Sequence, residues 1–159
     1  MRLLTIAFVL SIALLPKAAP AADTVAQPTP EQMVPLQAIT VAFNRGDVNL
    51  PENTCLPDSA VVDVISPYYF QGPQGLVQWW SAIVGNTGAT ARSTFLDAHE
   101  VVTLEAATAA HIKGDDAYFV IPFSLALLVH GTPQTQYLIW IVSERNTPDG
   151  WRISGQAFQ

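Results

Sequence analysis

Asp149-Gly-Trp-Arg-Ile-Ser-Gly-Gln-Ala-Phe158 is the stretch on which the fold turns. Asp149-Gly150 is a turn dipeptide, and Trp151, Ile153 and Gly155 alternate with Arg152 and Ser154, the period of a strand. A strand that starts on a tight turn needs a partner just upstream. Gln136–Ser143, QYLIWIVS, supplies it across the turn Asn146–Gly150. Upstream again, Ala117–His130 (AYFVIPFSLALLVH) is almost wholly apolar, which predicts a strand covered on both faces. Pro122 inside it requires a bulge or an edge. Lys113-Gly114-Asp115-Asp116 is a turn, Ala107–Ile112 pairs beside it, and Ser93–Leu104 is a further long strand.

The front half reads differently. Thr29-Pro30-Glu31-Gln32 is a helix start, with a capping Thr, Pro at the first position and Gln three residues on. Met33, Leu36 and Phe43 follow at helical spacing, and Gly46 stops the helix. Pro35 means that this helix either begins near Val34 or bends. Val48–Ser59 carries two prolines and holds at most a short helical turn. Ala60–Ile65 is a β-branched strand with one odd member, Asp63. Leu76, Trp79, Trp80, Ile83 and Val84 form a broad helical stripe, read as core. Helices in front and a strand meander behind give an α+β domain whose long strands curl around a cavity.

The first 21 residues stand apart. Met1-Arg2 is a positive start, Leu3–Leu15 an apolar run, and Ala19-Pro20-Ala21 a cleavage pattern: the layout of a secretory signal peptide. The run is short against the roughly 20 residues of a spanning helix. Kept uncleaved, it would be an anchor. The expectation is an exported protein, periplasmic or secreted, free of the membrane after cleavage, with residues 22–29 as a flexible leader and 30–159 as one domain. Asp and Glu total 13 against 7 Lys and Arg, a net charge of −6, which disfavours nucleic-acid binding. Cys55 is the only cysteine. It forms no internal disulfide and reads as a small packing residue. His99, His111 and His130 have no metal-ligand spacing, and no cofactor motif occurs, so no metal or cofactor is expected.

Several stretches together resemble the nuclear transport factor 2-like superfamily, which includes ketosteroid isomerases, SnoaL-like cyclases and scytalone dehydratase. They are FNRGD (43–47), LPDSAVVDV (56–64), YFQGPQGLVQWW (69–80), GDDAYFVIP (114–122) and DGWRISGQAF (149–158). The resemblance implies a cone: a curved antiparallel sheet with three N-terminal helices on its concave face. It also implies that Asp63 falls where ketosteroid isomerases keep their general base. The same count puts Ile39 where they keep a tyrosine, and QYLIWIVS has no acid before Glu144. Without those donors an enolate has no preorganised partner. His99 shares a strand face with Asp97. Inward, the pair would be an acid/base dyad like that of the resembling dehydratases; outward, it would be a surface ion pair. Tyr68, Trp80, Tyr118, Tyr137 and Trp140 are candidate pocket-lining residues, suited to a small hydrophobic ligand. Two functions follow: an isomerase- or lyase-type enzyme on a small hydrophobic carbonyl compound, with Asp63 and His99 as catalytic residues, or a non-catalytic module that binds a ligand or dimerises through its sheet.

Overall fold

The computed structural model describes residues 25–84 and 100–159. The signal-peptide segment over residues 1–21, the first part of the expected strand Ser93–Leu104, Asp97 and His99 lie outside them. Helix α1 (Pro30–Arg45) begins in a complete capping box. Gln32 N donates to Thr29 Oγ1 at 3.3 Å, and Thr29 N donates to Gln32 Oε1 at 2.8 Å. The helix continues through Pro35, whose ring is fully buried. Proline removes one backbone donor there, and burial of its ring offsets the loss. Gly46 ends the helix at φ 71°, a left-handed conformation that glycine adopts without Cβ strain.

The motif at this helix end ties three elements together. Asn44 pairs with the backbone of Val102 in both directions, Nδ2 to O at 2.8 Å and N to Oδ1 at 2.7 Å. Trp80 Nε1 donates to Asp47 O at 2.9 Å.

Only two α-helices stand among the described residues, not the three expected. Residues 48–54 form turns instead. Pro51 interrupts the segment and Asn53 takes a φ of 61°, so no helix nucleates. Strand β1 (Cys55–Val62) starts directly after, earlier than the β-branched run suggested. Strand β2 (Tyr69–Gln71) pairs back on it, and helix α2 (Gly72–Ile83) follows. Within α2, Gly75 lies so close to Phe70 that an added Cβ would come within 3.0 Å of its backbone.

The rest is sheet: β3 (Val101–Leu104), β4 (Ala109–Lys113), β5 (Asp116–Val129), β6 (Thr132–Thr147) and β7 (Gly150–Phe158). The order is β2-β1-β7-β6-β5-β3, with β4 also on β5. The sheet is mixed rather than antiparallel, because β1 pairs parallel with β7. A parallel neighbour needs a long crossover, and here nearly the whole domain supplies it. Strand β7 therefore does not finish an edge; it lies between β1 and β6.

Pro122 has a local explanation. Strand β4 covers β5 over Asp116–Val120 and β3 covers it over Phe123–Ala126. Pro122 O accepts from Glu105 N at 2.9 Å, so its ring nitrogen points to the break between those two strands. The missing donor falls where the ladder is already interrupted.

The apolar run of β5 is covered on one face rather than on both. Phe119, Ile121, Phe123 and Leu125 point into the core, whereas Tyr118 on the other face is 39% exposed. Helix α1 packs on β7 and β3, and α2 on β1 and β2, closing the inner face. The core joins Leu36, Ile39, Leu76, Trp79 and Trp80 from the helices to Val61, Phe119, Ile121, Trp140, Val142 and Ile153 from the sheet.

Candidate functional site

Alternation along β1 turns Ser59, Val61 and then Asp63 inward, and all three are buried. Strand pairing ends at Val62, so Asp63 opens the loop to β2. Its backbone N donates to Tyr68 O at 3.1 Å, and Tyr68 N donates to Ile65 O at 2.7 Å. Its carboxylate accepts twice. Trp79 Nε1 donates to Oδ2 at 2.8 Å, and Ile65 N donates to Oδ1 at 3.3 Å. The second contact is an Asx turn, which holds the loop through the side chain. Helix α2 supplies the first because its apolar stripe brings Trp79 onto the end of β1. Asp63 is 9% exposed, so these bonds meet a carboxylate that water hardly reaches.

Trp79 also starts a run of aromatic rings. It stacks on Phe158 with centroids 5.7 Å apart, and Phe158 stacks on Trp140 at 5.4 Å. Phe123 meets Phe158 edge-on at 6.3 Å. The Trp140 indole is fixed by Gln156, whose Oε1 accepts from Nε1 at 3.0 Å.

These rings and Asp63 border a cavity of about 120 Å³. Ile39, Thr40 and Phe43 of α1 form one side, and Val102, Leu125 and Leu138 of the sheet another. Four of the described lining residues have polar side chains: Asp63, Thr40, Glu100 and Gln159. The Thr40 hydroxyl donates to Leu36 O at 2.9 Å. Glu100, just before β3, is 9% exposed.

Of the residues singled out in the sequence, Asp63 and Trp140 border this cavity. Trp80 does not: it is buried one position round α2, with its indole on Asp47. Tyr118 and Tyr137 are at the wrong parity. The residues of β5 and β6 that face inward are Ala117, Phe119 and Ile121, and Leu138, Trp140 and Val142, which leaves Tyr137 79% exposed on the outer face. Tyr68 sits in the loop after β1 and is exposed. Trp79, Phe158 and Glu100 were not anticipated. Glu100 had a signal in the sequence, since it precedes Val102 and Leu104 at strand period. Nothing local announced that the Trp79 indole would meet Asp63.

Two other groups bear on the chemistry. Burial pushes the Cys55 thiol up to about 11, so it stays protonated at neutral pH and is a poor nucleophile. Burial likewise pushes the Glu144 carboxyl up to about 8. Among the described residues no cluster of three His, Cys, Asp or Glu could hold a metal ion, and no helix is long and apolar enough to cross a membrane.

The architecture is the nuclear transport factor 2-like fold. A nuclear transport factor 2-like superfamily protein from Salmonella enterica serovar Typhimurium superposes with a TM-score of 0.60 at 13% identity, over 79% of this chain and 84% of that one. An NTF2-like protein with a cystatin-like fold from Novosphingobium aromaticivorans gives 0.61 at 16%, over 78% and 75%. A ketosteroid isomerase-like protein from Erwinia carotovora atroseptica gives 0.58 at 13%, over 80% and 91%. At these identities the likeness is one of fold. No family model matches the sequence, and no curated protein is similar to it.

Proposed function

We propose that the domain takes a small, largely apolar molecule into this cavity and presents Asp63 to it as the acceptor of a proton. The observation that carries this reading is a buried carboxylate, fixed by Trp79 and Ile65, on the wall of an otherwise aromatic and aliphatic cavity. Such a group is held in one orientation without solvent reorganisation, which suits a general base. The reaction class is proton transfer at carbon next to a carbonyl, isomerase- or lyase-like. An engineered cavity of roughly 150 Å³ holds benzene, so 120 Å³ suits about one ring, not a fused ring system. The signal-peptide layout of residues 1–21 supports export.

Cyclohex-3-enone is a probe of that size. Asp63 would take a proton from C2 and return it at C4, giving cyclohex-2-enone. The expected result is isomerisation, or deuterium uptake from D2O, that falls about 10²- to 10⁴-fold in Asp63→Asn. Asparagine keeps one acceptor oxygen, for either the Asx turn or the Trp79 indole, and loses the base. Equal rates in the two proteins would remove the catalytic assignment.

A second reading, binding without catalysis, is favoured by the short supply of donors. Of the four polar side chains on the described lining, two are carboxylates, the Thr40 hydroxyl is already committed to Leu36 O, and Gln159 is left to supply amide N–H donors. Self-association through the outer sheet face belongs with either reading. Pro122 pairs with Ile139 and Val120 with Ile141 there, and Tyr137 extends the apolar strip. A dimer in sedimentation equilibrium that Ile139→Glu converts to monomer is the expected outcome; an unaltered mass would exclude this face.

A further inference from the structure

Phe158 holds a position that the cavity and the core share. It is the last residue of β7 and lies across from Trp140 of β6. On its other side β7 runs parallel to β1, with Val62 beside Ala157. One step further in that register brings Asp63 beside Phe158, and both border the cavity. Trp79 touches both, donating its N–H to Asp63 and stacking its ring on Phe158. Phe158 is therefore the ring that the strand register sets next to the carboxylate.

The ring is also firmly placed. Gln159 N donates to Ile139 O at 3.0 Å and Ile139 N donates to Gln159 O at 2.9 Å, so the ladder with β6 continues one residue past Phe158. Trp79 and Trp140 stack on the ring, and Phe123 meets it edge-on. Both tryptophans are almost fully buried, whereas Phe158 is only partly so. A ligand that reaches Asp63 meets a ring that cannot step aside without breaking two stacks, and close-packed surroundings resist such a shift.

We infer that Phe158 is the specificity-determining residue of this cavity, the barrier that keeps a second, fused ring away from Asp63. The inference rests on the proposed role of the cavity as a small-molecule site and adds the residue that limits what enters. Removing the Phe158 ring would lengthen the cavity beside the carboxylate by about the space of one benzene ring, enough for a bicyclic ligand. Asp63 would keep both of its donors, Trp79 Nε1 and Ile65 N. Size selection by Phe158 and proton transfer by Asp63 are thus separate properties of neighbouring residues.

Cyclohexanone and 1-tetralone, a one-ring and a two-ring ketone, titrated into the full chain by calorimetry, read this limit. Wild type should bind cyclohexanone about tenfold or more tightly than 1-tetralone, and Phe158→Ala should bind 1-tetralone about tenfold or more tightly than wild type does. Phe158→Leu fills more of the space and should shift the ratio the same way by a smaller factor, which covers an alanine variant that does not fold. Phe119→Leu is the control for packing alone. Phe119 is fully buried and is not among the described lining residues, so its loss should lower stability and leave the ratio within about twofold. A ratio unchanged in the Phe158 variants, or moved as far by Phe119→Leu, would overturn the assignment, while cyclohexanone binding to wild type would keep the cavity as a site. A gain of 1-tetralone in Phe158→Ala without cyclohexanone binding to wild type would support the barrier and remove the one-ring reading of the cavity. Binding of neither ketone to any of the proteins would overturn the barrier, and the role of Asp63 is decided separately by deuterium uptake in Asp63→Asn.

Discussion

Replacing Glu144 with leucine should raise stability at pH 7 by about 3 kcal/mol and flatten its dependence on pH. Glu144 lies on the inward face of β6 with Trp140 and Val142, between Ala117 of β5 and Ile153 of β7. It is 1% exposed, and neither carboxylate oxygen has a hydrogen-bond partner. Burial therefore favours the neutral acid, and the carboxyl rises from about 4.5 to about 8. Between those values the unfolded chain is ionised and the folded chain is not, so unfolding releases a proton. The contribution to stability is whole below about pH 4.5 and falls as pH rises through 8, by about 1.4 kcal/mol per unit and about 5 kcal/mol in all. Urea denaturation at pH 5, 6, 7 and 8 reads the slope. Wild type should lose stability across that range relative to Glu144→Leu, and parallel profiles would show that the acid is paired or hydrated.

The second large effect is a loss. Trp79→Ala should cost about 3–5 kcal/mol, the range for emptying a buried aromatic position. Trp79 is 1% exposed, packs against Trp80 at 5.9 Å and Phe158 at 5.7 Å, and provides the indole donor to Asp63. Two effects combine: a void opens beside the existing cavity, and a buried carboxylate oxygen loses its donor. Trp79→Phe helps to separate them, since it keeps one ring, opens a smaller void and removes the N–H. A double-mutant cycle of Trp79→Phe with Asp63→Ala, which has no acceptor for the indole, should give a coupling of about 1 kcal/mol or more. Coupling near zero would mean that the 2.8 Å contact contributes nothing to stability.

The sequence exposed those parts of the fold that depend on period and punctuation. The capping box at Thr29–Gln32, the stop at Gly46, the stripe from Leu76 to Ile83 and the turns before β5 and β7 are all local, and each could be read from neighbours in the chain. The number of helices and the parallel pairing of β1 with β7 could not. Residues 48–54 fail to become a helix because Pro51 and Asn53 set the backbone there, and β1 meets β7 only through contacts 95 or more residues apart. The site divides the same way. Asp63 stood out because a carboxylate in a β-branched run demands a partner, but that partner was on α2. Tyr118 and Tyr137 were attractive as residue types, yet which face they take depends on the register of β5 with β6, since a single step in parity moves a side chain to the other side of the sheet. Glu144 looked like the polar end of a strand because β6 was read as stopping at Ser143. The strand runs on to Thr147, which carries Glu144 back inside.

The position of β7 has a consequence for how the chain acquires its shape. Strands β1 and β2 form one hairpin-like piece and β3 to β6 another, and β7 is the keystone between them. Until it is laid down, both pieces present bare hydrogen-bonding edges, and the aromatic stack lacks Phe158, its middle ring. Neither piece can close the sheet by itself, so the curved wall is complete only once the last strand is in place.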